Sequence, residues 1–253
     1  MEVTATWQAA LLGAIQGLTE FLPVSSSGHL IVSSWILDGK PLPLSLNIAL
    51  HIGTTMAVLI YFWRDWLNLS KAAFLRIFRG RHSHEADRIL PGLILGSVPA
   101  GIIGVLWEDD IEAIFHNPLS VALPLALVGI IIWIADKKSA ASRNLNDLKI
   151  VDALLIGCAQ ACALIPGVSR SGVTIMAGRL LTFNRKDAAR FSFLLGTPAM
   201  CGAMLLKMKD IAANVQDPTF FVGIGLSFLT GILAIGFLLS FLRRFGFGVF
   251  ALY

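Results

Sequence analysis

Apolar residues fall in long runs separated by short polar stretches. The runs cover 7–22, 29–37, 46–63, 89–107, 119–135, 150–165, 171–182, 188–206 and 219–242, and a last one begins at Phe245 and stops at Tyr253. A bilayer-crossing helix needs about 17–25 mostly apolar residues. Five runs reach that size: 46–63, 89–107, 119–135, 188–206 and 219–242. Two pairs do not. Runs 7–22 and 29–37 are joined by Pro23-Val-Ser-Ser-Ser-Gly28, and runs 150–165 and 171–182 by Pro166-Gly-Val-Ser-Arg-Ser-Gly172. Each pair reads as a helix that goes in, breaks and returns on the same side. Such a break survives inside a bilayer only when buried in protein or lining a watery cavity, because its free backbone groups need partners.

The two broken pairs match each other. Gly13 and Gly157, Gln16 and Gln160, Ser25 and Ser169, Ser27 and Ser171, and Gly28 and Gly172 are each 144 positions apart. Gly53-Thr54 and Gly196-Thr197 follow at an offset of 143. The predicted fold is an all-α polytopic membrane protein in one integral membrane domain, 1–253, made of two repeats, about 7–135 and about 150–253. Each repeat is a re-entrant helix pair plus about three transmembrane helices. Three spans lie between the copies, an odd number, so the repeats are inverted and their broken tips meet near the midplane. A plain bundle of nine or ten spanning helices is the alternative. The third span of the second repeat should follow Arg244, where nine residues stand instead of about 18–20. The last helix is therefore expected to be cut short.

Composition supports the membrane reading: 56% of the 253 residues are hydrophobic and 14% charged, against about 25% charged in soluble domains. Mean hydropathy is +0.75. The net charge of +4 does not point to nucleic acid, because the basic residues sit between apolar runs. Loop 64–88 holds six Lys or Arg, loop 136–149 four, segment 183–187 two, and Arg243-Arg244 two more. The positive-inside rule places these in the cytoplasm. Residues 1–6 lack the basic region of a cleaved signal peptide.

The two breaks carry most of the unusual polar residues. The first reads Gln16-Gly-Leu-Thr-Glu20-Phe-Leu-Pro-Val-Ser25-Ser26-Ser27-Gly28-His29, the second Pro166-Gly-Val-Ser169-Arg170-Ser171-Gly172. Ionisable groups inside a membrane are costly and mark function. Each break also starts a helix, whose first N–H groups and partial positive charge favour an anion. With Arg170, whose planar fork suits phosphate, they make a trap for a phosphate or diphosphate. The expected phosphate-binding set is Gln16, Ser25, Ser27, Gly28, Ser169, Arg170, Ser171 and Gly172. A divalent cation, Mg2+ or Ca2+, bridging to Glu20 is a further expectation. The same residues suit phosphoryl transfer: a serine attacks phosphorus, His29 or Glu20 takes its proton, and Arg170 stabilises the developing charge.

These two strings resemble the undecaprenyl-diphosphate phosphatase family of bacteria, also called the bacitracin-resistance protein family, over nearly the whole chain. The resemblance implies hydrolysis of undecaprenyl diphosphate to the monophosphate, which recycles the lipid carrier of cell-wall synthesis. It also implies a site facing the outer side of the cytoplasmic membrane. Carried onto this chain, it implies Glu20, Ser26, His29 and Arg170 as catalytic residues, with Ser25 beside them. Ser26 is the favoured nucleophile, oriented or deprotonated by His29 and Glu20; His29 itself or a metal-bound water is the alternative. Where some members carry a first Glu, this chain has Gln16, so Glu20 works without a second carboxylate. The expected partners are a polyprenyl diphosphate and membrane lipids, with no nucleic acid; a homodimer is one option, the oligomeric state being left open by the sequence.

Two other classes compete. Lipid phosphatases of the phosphatidic-acid type need a histidine shortly after Ser-Arg, and none follows Arg170. A flippase would use the same inverted repeats and anion trap without hydrolysis. Elsewhere, His82, His84 and His116 read as solvated loop residues. His51 reads either as a cavity residue or as bonded to backbone. Cys158 and Cys162 read as packing residues, and with Cys201 they show no disulfide framework. Arg179 and Arg190 read as snorkelling to head groups, and Trp63, Trp66 and Trp107 as interfacial anchors. The glycines of 89–107 and 219–242 suggest close helix packing.

Overall fold

The computed structural model describes residues 6–80, 83, 85–114, 118–207 and 218–253. His82, His84 and His116 lie outside them. Eleven α-helices are present among the described residues: α1 Thr6–Phe21, α2 Ser26–Asp38, α3 Leu44–Tyr61, α4 Trp63–Arg79, α5 Ala86–Ile114, α6 Pro118–Lys138, α7 Ile150–Cys162, α8 Arg170–Leu180, α9 Arg185–Leu206, α10 Pro218–Phe241 and α11 Gly248–Leu252. The protein is an all-α, multi-pass membrane protein. Helices α3, α5, α9 and α10 contain segments long and apolar enough to span, and the fifth expected run, 119–135, lies within α6. Their outward faces carry large apolar side chains, among them Ile102, Ile130, Leu233 and Phe237, which lipid covers at no hydrophobic cost.

Both broken pairs are hairpins. At the first, Pro23 cannot donate a backbone hydrogen bond, and the chain turns over 22–25 between α1 and α2. The end of α2 returns to the start of α1, where Gln8 Nε2 donates to Asp38 Oδ1 at 2.7 Å. At the second, Arg143 clasps the base of α7 and α8 by donating to the Leu181 carbonyl (3.1 Å) and pairing with Asp152. The bond to Asp152 raises the Arg143 pKa further above its ordinary value. The bases lie at opposite ends of α3. That helix starts at Leu44, six residues beyond Asp38 at the first base, and runs about 27 Å over its 18 residues. Just past its far end, in the first turn of α4, Asp65 pairs with Arg190, in the first turns of α9 beside the second base.

Packing is exchanged between the halves. Helix α1 of the first hairpin packs most extensively on α10, and α7 of the second on α5. Close approach demands glycine: a Cβ on Gly157 would lie 2.1 Å from the Gly96 carbonyl oxygen. The two hairpin helices are thereby locked against long helices of the opposite half.

Several expectations change here. The basic stretch 64–88 is not a plain loop; most of it is the amphipathic helix α4, which buries Leu69 and Ala72 and leaves Phe74, Ile77 and Phe78 exposed. Arg179 does not snorkel. It is buried at 1% exposure, with Nε donating to Asp136 Oδ1 (2.9 Å) and Nη1 to the Phe183 carbonyl (2.6 Å). A guanidinium that deep needs a carboxylate. Arg190 is also paired, to Asp65 and to Glu85 (2.5 Å), and ties α9 to α4 and the turn before α5. Cys158 and Cys162 are exposed on the outward face of α7 instead of packed inside. Trp63 and Trp107 point outward, whereas Trp66 packs against the core. After Arg244 stands the five-residue α11, packed on α6 and tied in by the Phe247 N–H, which donates to Asp136 Oδ2 at 3.2 Å.

Candidate active site

The two tips meet. In the first, Ser25 caps α2 by accepting the Gly28 N–H (3.3 Å), and its hydroxyl lies 3.2 Å from that of Ser27. In the second, Ser169 caps α8 by accepting the Gly172 N–H (3.1 Å), with the Ser171 hydroxyl at 3.2 Å. Capping serines satisfy N–H groups that have no partner within the helix. Gly28 and Gly172, expected as phosphate donors, therefore have their N–H groups engaged by the caps. Two bonds clasp the tips: the Gly167 N–H donates to Ser27 Oγ (3.3 Å), and Ser171 Oγ donates to the Leu22 carbonyl (3.1 Å). Gly167, at φ 91°, makes the second bend possible, since a Cβ there would lie 2.5 Å from the Val121 carbonyl oxygen.

Across the clasp, Glu20 is the hub. Its Oε1 pairs with Arg170 Nη2. Its Oε2 accepts from the Ser26 hydroxyl at 2.5 Å and from Gln16 Nε2 at 3.0 Å. The i, i+4 spacing on α1 puts Gln16 and Glu20 on one face. Arg170 Nη1 also donates to the Gly196 carbonyl (3.0 Å), close enough that a Cβ on Gly196 would sit 2.7 Å from the guanidinium. Glu20 is 9% exposed, so a buried carboxylate is stabilised by one cation and two neutral donors.

His29 stands apart from this hub. Its Nδ1–H donates to the Ser25 carbonyl (2.7 Å), which fixes the tautomer because a carbonyl only accepts. In the neutral ring Nε2 then accepts from the Tyr253 hydroxyl (3.1 Å), and the two rings stack at 5.7 Å. The carboxylate, not the imidazole, bonds the Ser26 hydroxyl.

A cavity of about 610 Å³ opens on the tips. Glu20, Ser25, Ser26, Ser27, Ser169 and Arg170 line it, as do His51, Ser97 and Gln160. Gln16, Gly28, His29, Ser171 and Gly172 are not among the residues that line it. Both readings of His51 hold, because Nδ1–H donates to the Asn47 carbonyl (2.9 Å) while the ring faces the cavity. The rest of the wall is apolar and small, with Ala100, Gly101 and Gly104 of α5 facing Pro198, Ala199, Gly202 and Ala203 of α9. A Cβ on Gly101 or Gly202 would meet no atom within 4 Å. These glycines make room instead of contact, which their sequence pattern alone does not reveal. Ser97 and Gln160 were also missed as site residues. The only sequence signal was the match of Gln160 to Gln16.

Among the described residues no three His, Cys, Asp or Glu side chains form a metal-holding group. Both Glu20 oxygens already accept from protein donors.

The chain matches the family Bacitracin resistance protein BacA over residues 9–253. It is 43% identical over 247 residues to an undecaprenyl-diphosphatase of Pelotomaculum thermopropionicum, covering 98% of this chain and 92% of the relative. It is 44% identical over 259 residues to one of Thermomicrobium roseum (98% and 93% covered) and 44% identical over 253 residues to one of Rubrobacter xylanophilus (97% and 93%).

Proposed function

The chain belongs to the bacitracin resistance protein BacA family, and we propose that it hydrolyses undecaprenyl diphosphate to undecaprenyl phosphate and inorganic phosphate. The protein is thus a membrane-embedded hydrolase that recycles a lipid carrier for cell-wall synthesis. The observation that carries the reading is the Ser26 hydroxyl held 2.5 Å from Glu20, with Arg170 on the other carboxylate oxygen. A carrier that only moves a lipid phosphate has no use for a serine bonded to its base.

The geometry suggests two half-reactions. The terminal phosphate enters between the tips, facing Arg170 and the first N–H groups of α2 and α8. Ser26 Oγ attacks phosphorus as Glu20 Oε2 takes its proton. The bond from phosphorus to the bridging oxygen breaks, and polyprenyl phosphate leaves. Glu20 passes its proton to the departing polyprenyl phosphate and is a carboxylate again. Water then attacks the phosphoserine. Glu20 takes a proton from the water and returns it to Ser26 Oγ as the phosphorus–Oγ bond breaks, and inorganic phosphate departs with Ser26 restored. Arg170 has five N–H donors and uses two in the bonds described. The others are available to the charge that develops on the transferred group. His29 holds the Ser25 carbonyl and so braces the turn that presents Ser26.

The small-residue wall between α5 and α9 suits the start of a prenyl chain. The two halves, 7–135 and 150–253, read as inverted repeats, supported by the exchanged packing and the opposed hairpin bases. The distribution of Lys and Arg supports the cytoplasmic membrane with the basic turns inside and the site opening outward.

The test is phosphate release from a polyprenyl diphosphate by purified protein in detergent, beside a lipid-translocation assay in vesicles. Ser26→Ala should lower release by at least about 10³-fold. Unchanged release in Ser26→Ala overturns the mechanism. Translocation by the native protein with no phosphate released overturns the hydrolase reading.

A further inference from the structure

Gln160 is 2% exposed, and among the described residues neither its Oε1 nor its Nε2 has a hydrogen-bond partner. Buried amides are nearly always satisfied, and one that is not costs stability. This one lines the cavity. Its matched residue, Gln16, donates to Glu20 four positions on. The position corresponding to Glu20 is Leu164, in the turn just past α7, so Gln160 has no carboxylate to hold there. The close contact of Gly157 with Gly96 presses α7 onto α5. One turn further along, Gln160 shares the cavity wall with Ser97 and Ala100. There the polar tips give way to the apolar wall.

We propose that Gln160 is a substrate-binding residue whose Nε2 donates to the prenyl-bearing phosphate, the group that departs as polyprenyl monophosphate. This rests on the hydrolase reading. The terminal phosphate occupies the space between Ser26 and Arg170. The second phosphate must then lie toward the apolar wall that takes the chain, and Gln160 stands at that border. An amide without a protein partner is retained at a cost to the fold because a ligand completes it.

Gln160→Leu separates the two roles. Removing an unsatisfied buried amide should leave the melting temperature in detergent equal or higher. KM for the diphosphate and the Kd of farnesyl monophosphate, measured by calorimetry, should each rise about tenfold, the loss of one good hydrogen bond. Inhibition by inorganic phosphate, which probes the reacting position, should not change. Gln160→Glu, isosteric but negatively charged, should bind farnesyl monophosphate more weakly still. Unchanged Kd in both variants overturns the proposal. Equal weakening of inorganic phosphate overturns the assignment to the prenyl-bearing phosphate. If native protein releases no phosphate, the hydrolase reading falls, while the calorimetric comparison still tests Gln160 on its own.

Discussion

The two tips are built alike and differ where it matters. Both carry a capping serine, a second serine 3.2 Å from it and a glycine whose N–H closes the cap. Between the paired serines the first tip has Ser26 and the second Arg170. The first therefore supplies a hydroxyl and the second a cation, and Glu20 joins them. Their backbones differ too. Ser25 adopts φ 65°, ψ 101°, a strained conformation for a residue with a side chain, whereas Ser169 lies at an ordinary φ of −69°. The shared cap sets the frame, and the strain lies at the tip that presents the nucleophile.

Arg170→Ser would make the second tip a copy of the first. If the tips are functionally unequal, phosphate release should fall by about 10²–10³-fold, with Ser26 still bonded to Glu20. Near-native activity would erase the contrast. A smaller effect is expected at the wall. Gly101→Leu should lower kcat/KM for a long polyprenyl diphosphate by about tenfold while leaving a short-chain diphosphate nearly unaffected; equal loss on both would place the chain elsewhere. The smallest effect tests the backbone difference. Replacing either serine by glycine removes a cap worth about 1 kcal/mol. Gly relieves φ 65° at position 25 and nothing at 169. Thermal unfolding in detergent should show Ser25→Gly nearer to native than Ser169→Gly. The reverse order would mean that Ser25 is not strained.

A second contrast separates a site from a scaffold. Asp136 lies between Arg179 and Arg185 and accepts the Phe247 N–H, so its oxygens are fully used in joining α6, α8, α9 and the chain before α11. Glu20 is equally buried, but its partners include a hydroxyl that faces a cavity. In sequence Arg170 and Arg179 are two arginines nine positions apart, the first between two serines and the second between Gly178 and Leu180. Only the first sits at a helix break.

Much was legible along the chain. Apolar runs of this length fit membrane helices, because a helix satisfies its own backbone groups in lipid and a barrel strand needs only about 9–11 residues. The matched breaks marked the hairpins and nearly every residue of the tips, because polar groups in such segments need a reason. What one chain cannot display is which surface a side chain meets after packing. Tertiary structure decided that Glu20, 150 positions from Arg170, joins it to Ser26. It also turned His29 toward the Ser25 carbonyl, buried Arg179 on Asp136, and left Gly101 and Gly202 facing open space. Spacing and polarity are local and so appear in the order of residues. Partnership across helices depends on how close each pair of backbones can come, and that is set when the two halves exchange their packing.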